Sequence, residues 1–254
     1  MRIATWNVNS IRARLDRLLA WLAAVRPDVV CLQEIKSTEA QFPAAELAAA
    51  GYRSAVFGQA AYNGVAILSL AEPANVVRDM GCPADEQARL LSADVAGVRI
   101  LNAYFPNGQE VGSDKFQYKL RWMAELRRHV DERLSIADHV LLCGDFNVAV
   151  DDADVAYPRQ WADTVLCCPP VRQALEHIRA WGFVDVFRQH HPAGGLYSWW
   201  DYRQLAFVRN DGLRLDHLYA SPPLARRCLS AEIHRDQRKG DKPSDHAPVV
   251  AEFG

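Results

Sequence analysis

Apolar and polar positions switch between two periods along this chain, and the switches mark out its elements. Residues 3–8 read as a strand. Ile11, Leu15, Leu18, Leu19 and Leu22 then recur at helical spacing, with Asn9 or Ser10 as the expected cap and Pro27-Asp28 as the stop. Val29-Val30-Cys31-Leu32 is a continuous apolar run, the pattern of a strand covered on both faces, and it closes on Gln33-Glu34. A short helix around 44–50 stops at Gly51, and mostly antiparallel strands follow near 52–57, 64–70, 90–95 and 99–105. From Asp114, Phe116, Leu120, Met123, Leu126, Val130 and Leu134 form an apolar stripe opposite Lys115, Lys119, Arg121, Arg127 and Arg128, which predicts a long amphipathic helix. Val140-Leu141-Leu142-Cys143 repeats the buried-strand pattern and ends on Gly144-Asp145-Phe146-Asn147. Residues 149–170 have no clean period and read as a long loop. A helix over 171–181 and strands near 213–219, 228–234 and 248–253 complete the chain. Helices and strands alternate without a Gly/Ser/Pro linker, so one layered α/β domain is expected.

Composition supports a large core, since half of the 254 residues are apolar and 24% are charged. Against 31 Asp and Glu stand 29 Lys and Arg, a formal charge of −2, which excludes a strongly basic protein that grips a polyanion by bulk attraction. Any polyanion must be met by local patches. The six cysteines, Cys31, Cys82, Cys143, Cys167, Cys168 and Cys228, include no C-x-x-C pair, so zinc is not favoured and reduced thiols are expected. Cys31 and Cys143 lie in apolar runs; the vicinal pair Cys167 and Cys168 falls in the loop and is expected to be open to oxidation. No run approaches the ~18 apolar residues of a membrane span. The first residues lack a basic region followed by an apolar one, so a cytoplasmic location with no membrane partner is expected.

Polar residues recur just past the buried strands: Asn7 and Asn9, Glu34, Tyr104 and Asn107, Asp145 and Asn147, Asp216, and Asp245 and His246. If these ends converge, Glu34, Asp145 and Asp245 supply hard oxygen ligands and the amides of Asn7, Asn9 and Asn147 neutral ones, which suits Mg²⁺ or Mn²⁺. Singly, each has a bland explanation as a turn or cap. Asp216 differs, because an acid inside a buried strand is costly without a partner, and His246 is the best candidate. An Asp that accepts from one imidazole nitrogen fixes the tautomer and frees the other nitrogen for substrate. His129, His139, His177, His190, His191, His217 and His234 read as surface or packing residues. There is no G-x-S-x-G elbow, P-loop or G-x-G-x-x-G.

Six blocks, Thr5-Trp6-Asn7-Val8-Asn9-Ser10-Ile11-Arg12, Cys31-Leu32-Gln33-Glu34-Ile35-Lys36, Asn102-Ala103-Tyr104-Phe105-Pro106-Asn107-Gly108, Gly144-Asp145-Phe146-Asn147, Leu213-Arg214-Leu215-Asp216 and Ser244-Asp245-His246-Ala247-Pro248, resemble in order the signatures of the exonuclease III family of apurinic/apyrimidinic (AP) endonucleases. Tyr197-Ser198-Trp199-Trp200-Asp201-Tyr202-Arg203 is a further block of that kind. The resemblance implies a four-layer α/β sandwich with two mixed sheets inside and helices outside. It implies a monomeric, Mg²⁺- or Mn²⁺-dependent repair nuclease that cuts duplex DNA 5′ to an abasic site, with 3′-phosphatase, 3′-phosphodiesterase and 3′-to-5′ exonuclease activity on blocked 3′ ends. Carried over by residue, the metal-binding acid falls on Glu34, with Asn9 and Asp245 as further or alternative ligands. Phosphate contacts fall on Asn7, Tyr104, Asn147 and His246, with Asn107 also binding substrate. Asp145 positions or deprotonates the attacking water or protonates the leaving oxygen, Asp216 orients His246, and Trp199, Leu213 and Leu215 line a pocket for the abasic sugar.

The chain departs from the family after Asn147, where Asp151, Asp152, Asp154 and Asp163 replace an asparagine-bearing pattern and would repel a phosphate backbone on that side. A mainly 3′-end-trimming enzyme, a non-catalytic nucleic-acid-binding regulator, and a phosphatase or sphingomyelinase of the wider superfamily are the rival readings. One of Trp199 and Trp200 should reach substrate, since neighbours on a strand face opposite ways. Arg12, Arg14, Arg121, Arg127, Arg128, Arg226, Arg227 and the basic residues of 235–242 are the candidate phosphate-tracking patches. With a near-neutral total, the log–log salt dependence of duplex binding should have a slope of about three to six displaced counterions. A slope near zero in a fluorescence-anisotropy titration would count against a backbone-tracking groove.

Overall fold

The structure is a computed structural model that describes residues 1–81 and 87–254, so Cys82 lies outside the described residues. Strand β1 (Arg2–Asn7) leads through helix α1 (Leu15–Val25) to the parallel strand β2 (Val29–Gln33). After α2 (Ala44–Ala49), β3 (Arg53–Phe57) and β4 (Val65–Ser69) extend this sheet antiparallel. β5 (Ala74–Arg78), β6 (Leu90–Val95) and β7 (Val98–Tyr104) form an antiparallel ribbon, and α3 (Asp114–Arg133) crosses from β7 to the parallel β8 (Val140–Asp145). Helices α4 (Pro158–Trp161) and α5 (Pro169–Arg179) precede β9 (Val184–Asp185), α6 (Val186–His190) and α7 (Ala206–Arg209). β10 (Asp216–Ala220), α8 (Pro222–Ala225), β11 (Cys228–Ile233) and β12 (Val249–Phe253) finish the chain.

Two six-stranded sheets result, ordered β11-β12-β1-β2-β4-β3 and β5-β6-β7-β8-β10-β9. Their inner faces share one core, in which Ile3, Cys31 and Ile67 of the first sheet pack with Leu91, Ile100, Cys143 and Leu218 of the second. Leu18, Trp21, Leu22 and Leu47 of α1 and α2 cover the outer face of the first sheet against Ala4, Trp6 and Leu32. Met123, Leu126, Leu175 and Ile178 of α3 and α5 cover that of the second against Leu101 and Leu142. The expected four-layer sandwich is therefore the observed one. Each large side chain so buried contributes about 1.5–3 kcal/mol. Among the described residues, no helix is long and apolar enough to cross a membrane.

Several expectations need correction. Helix α1 starts at Leu15 behind Arg14, not behind Asn9 or Ser10, whose backbones are left-handed and whose place is in the site below. β10 begins at Asp216, so that acid sits at the strand's mouth instead of inside it, and Leu213 pairs separately with Val155 and Trp199. Lys119 is fully buried among Phe116, Trp122 and Met123, where the stripe placed it on the solvent face. Residues 149–170 hold short helical turns and bury Val155, Val165, Leu166, Cys167 and Cys168, so the vicinal thiols are shielded from oxidants. β5 and β9 had no apolar run to announce them, being edge strands or very short.

Of the four acids in that segment, two are neutralised. Arg172 pairs with Asp152 at 3.0 Å, and Asp154, fully buried, receives Arg188 and both Nε and Nη2 of Arg214 at 2.6 and 3.0 Å. Arg214 Nη2 also reaches Asp185 at 2.8 Å, and its Nη1 donates to His217 Nδ1 at 3.1 Å while His217 Nε2 donates to the Val148 carbonyl. Burial alone would raise the carboxyls of Asp154 and Asp185, but Arg214 outweighs it and holds both below the usual range. Their stabilisation is thus present above the unfolded carboxylate pKa and is lost as pH falls through the depressed folded values. Arg214→Met should lower unfolding free energy by about 3–5 kcal/mol at neutral pH, because it strands buried carboxylates, and the deficit should shrink in acid as those carboxyls protonate. Urea titrations at neutral and acid pH measure both, and an unchanged midpoint contradicts the account.

Candidate active site

The strand ends expected to converge do so. Asn7 ends β1, Glu34 follows β2, Tyr104 ends β7 and Asp145 ends β8, at the carboxyl ends of the two parallel pairs. Asn7 Nδ2 donates to Glu34 Oε1 and to Asp145 Oδ2, each at 2.9 Å, and so ties one sheet to the other. Gly144 lets β8 arrive: at its φ of 144° a Cβ would lie 1.8 Å from the Ala103 carbonyl oxygen.

Asp145 faces His246 and Asn147. The Asn147 backbone N–H donates to Asp145 Oδ1 at 2.9 Å, and its side-chain Nδ2 donates to the Phe105 carbonyl at 3.0 Å and lies 3.4 Å from Asp145 Oδ2. His246 Nε2 lies 3.6 Å from Asp145 Oδ2, and His246 Nδ1 donates to Asp216 Oδ2 at 2.8 Å. The Asp216–His246 pairing is therefore as expected. Burial disfavours the imidazolium, but the carboxylates of Asp216 and Asp145 outweigh it and raise His246 to about 10. Burial pushes Asp145 up to about 7, with Asp216 adding to the rise and His246 opposing it. Asp216 Oδ1 is buried without a hydrogen-bond partner.

A second group lies on the other side of Asn7. Lys36 Nζ is 2.8 Å from Glu34 Oε2 and donates to Asn9 Oδ1 at 2.6 Å. Asn9 Nδ2 donates to Asp245 Oδ1 at 3.0 Å, and Trp199 Nε1 donates to Asp245 Oδ2 at 3.1 Å. Burial opposes the charge on Asp245, but His246 and the donors Trp199 and Asn9 hold its carboxyl below the usual range. Tyr104 is half-buried, with its hydroxyl bonded to Glu34; burial, then the charges of Glu34 and Asp145, push it well up. The oxygens of Glu34, Asn9 and Asp245 are carboxylate and amide lone-pair donors, and an ammonium already lies among them, so the set fits a hard cation. The ligand atoms of Asp145, Asp216 and His246 also lie within 4.8 Å of one another.

Other predicted residues sit less centrally. Exposed Asn107 donates to Asn147 Oδ1 at 3.2 Å. Trp199 reaches the site and stands edge-on to Trp161 at 5.8 Å, whereas Trp200 is core. Leu213 and Leu215 are sealed in the core at 0% and 2% exposure, so no open sugar pocket lies over them in this conformation. Arg127 and Arg128 are held in ion pairs on α3, while Arg14 and Arg238 gather at Tyr202 beside Asn9. Sequence reasoning missed the supports. Lys119 Nζ donates to the carbonyls of Asn107, Asn147 and Val165 at 3.1, 2.7 and 2.7 Å, and burial lowers it to about 7. Arg89 stacks over Tyr104 at 5.0 Å, and Ser244 Oγ donates to the Asn7 carbonyl at 2.6 Å. For Lys36 the only sequence signal is its spacing, two residues past Glu34.

Two stacked sheets with such a cluster at one mouth define a class of phosphoester-cleaving enzymes, and the model of the Endonuclease/Exonuclease/phosphatase family matches residues 4–246. Exodeoxyribonuclease III of Haemophilus influenzae is 35% identical over 268 residues, covering all of both chains. An AP endonuclease from Archaeoglobus fulgidus superposes with a TM-score of 0.98 at 39% identity, covering 100% of this chain and 99% of that one. The 3′-5′ exonuclease NExo of Neisseria meningitidis does so at 0.97 and 41%, with the same coverage. The chain belongs to this family and, within it, to the exonuclease III branch of hydrolytic nucleases. Since His246 and Asp216 form one hydrogen-bonded unit, His246→Ala and Asp216→Asn should be non-additive in nuclease kcat/KM. A double variant whose loss equals the sum of the single losses would separate them.

Proposed function

We propose that this chain is a Mg²⁺- or Mn²⁺-dependent DNA repair nuclease that hydrolyses the phosphodiester 5′ to an abasic site in duplex DNA and also processes blocked 3′ ends. The observation that carries the reading is the Asn7 amide joined to both Glu34 and Asp145, which sets a cation-ready carboxylate beside one poised over a histidine. Relatives named AP endonuclease, 3′-5′ exonuclease and, bound to a product DNA hairpin, 3′ phosphatase support it. Buried free cysteines suit the reducing cytoplasm.

Glu34 with Asn9 and Asp245 would hold the ion, which when bound supplies positive charge to a phosphoryl oxygen and its leaving group. The chain's own groups do the rest. His246 presents an imidazolium N–H from Nε2, and Asn7, Asn147 and Tyr104 add donors, so negative charge developing on phosphorus meets a preorganised, largely buried set. Asp145, with its proton affinity near neutrality, orients the water or exchanges its proton. The water oxygen bonds to phosphorus, the bond from phosphorus to the 3′ oxygen breaks, and that oxygen takes up a proton. Products are a 3′ hydroxyl and a 5′ phosphate.

The closed packing of Leu213 and Leu215 favours, as a second reading, an enzyme acting mainly on 3′ ends. The test compares duplex DNA carrying one abasic analogue, an intact duplex, a 3′-phosphate end and a phosphoinositide, each with Mg²⁺ or chelator. Chelator-sensitive incision 5′ to the lesion is expected; faster 3′-phosphate removal assigns the second reading, and binding without cleavage sinks both. Asp145→Asn should lower kcat by several powers of ten with DNA affinity largely kept. Near-normal turnover refutes its role.

A further inference from the structure

We propose that the Lys36 ammonium is an internal competitor for the divalent ion: it holds the Glu34 and Asn9 oxygens when the ion is absent and vacates them when the ion binds. The inference rests on the proposed placing of that ion at Glu34 and Asn9.

Each of those ligands has one end already committed. Glu34 Oε1 is taken by Asn7, and Asn9 Nδ2 is spent on Asp245. The remaining oxygens, Glu34 Oε2 and Asn9 Oδ1, are the two that Lys36 Nζ occupies, at 2.8 and 2.6 Å. A hard divalent ion needs the same lone pairs at a shorter distance, and two positive charges on one pair of oxygens repel.

The backbone aims the lysine there. Lys36 has a left-handed φ of 49°, and its N–H donates to the Asn63 carbonyl at 3.0 Å. Such a conformation is unfavourable for a residue with a Cβ, and the Asn63 hydrogen bond holds it in place. Its partial exposure of 27%, with Glu34 at 20%, leaves the flexible stem a path outward. Lys119 offers the contrast, since its ammonium is buried on three carbonyls and has no such path.

The test measures Mn²⁺ binding to the DNA-free protein by the electron paramagnetic resonance signal of free Mn²⁺, for wild type and the variants K36M, K36Q, K36R and E34Q. Removing the competing charge should tighten Mn²⁺ binding about tenfold in K36M and in K36Q, the latter keeping a polar stem should the Met variant misfold. K36R keeps the cation and should stay within about twofold of wild type, while E34Q should weaken binding about tenfold or more. Unchanged or weaker binding in K36M and K36Q, with E34Q weakened, overturns the competitor and leaves the ion's place intact. Unchanged binding in E34Q removes Glu34 as a ligand, and both readings fall.

Discussion

One primary amide holds the site together. Asn7 Nδ2 lies between the carboxylates of Glu34 and Asp145, which are 27 and 138 residues away along the chain. Two neighbouring carboxylates repel, and the amide hydrogens between them turn that repulsion into a bridge. Asn7 is fully buried at the end of a strand flanked by β2 and β12, so its place is fixed by the first sheet while Asp145 is fixed by the second. The site therefore exists only when the sheets are docked in one register. Gln33 Nε2 donating to Asn102 Oδ1 at 2.7 Å, and Asn102 Nδ2 to the Leu32 and Ala66 carbonyls, pin that register in an otherwise apolar interface.

Turning side chains back across the mouth carries a local cost. Asn9, Ser10, Glu34, Lys36 and Asn147 all have positive φ, a conformation that costs of order 1 kcal/mol or more per residue outside glycine. Backbone hydrogen bonds from Ser10 to Glu34, Ile11 to Ile35 and Ile35 to Gly64 hold the first two turns against each other. The strain falls where strands must stop within one residue and present a polar group inward. A helix cap at Asn9 would have consumed the very side chain that reaches Asp245 and Lys36.

That conflict explains what the sequence could and could not disclose. Apolar runs gave β2 and β8 because their residues meet core on both faces, and a polar residue right after each run gave Glu34 and Asp145. The Asp216–His246 pair followed from the cost of an unpartnered buried acid. Lys119 was misplaced because periodicity counts apolar side chains and cannot see three carbonyls waiting beneath a helix. Acids after Asn147 looked like a repulsive cluster because the partner of Asp154, Arg214, lies 60 residues further on. The resemblance implies Leu213 and Leu215 as pocket walls, whereas here they fill the core, since packing decides whether an apolar residue lines a cavity or fills one.

The amide also separates two chemical jobs. On its Asp145 side, the His246 ring lies between the Asp145 and Asp216 carboxylates at 3.6 and 2.8 Å, and their charge raises its proton affinity. On its Glu34 side, a cation would displace only a half-exposed ammonium that water can receive. The closeness of Asp145, Asp216 and His246 alone would nominate them as a metal cluster. The proposed placing of the cation on the Glu34 side leaves the inner histidine free to donate to the attacked phosphate. A single asparagine thereby bridges two carboxylates with different neighbours, an ammonium beside Glu34 and an imidazole beside Asp145.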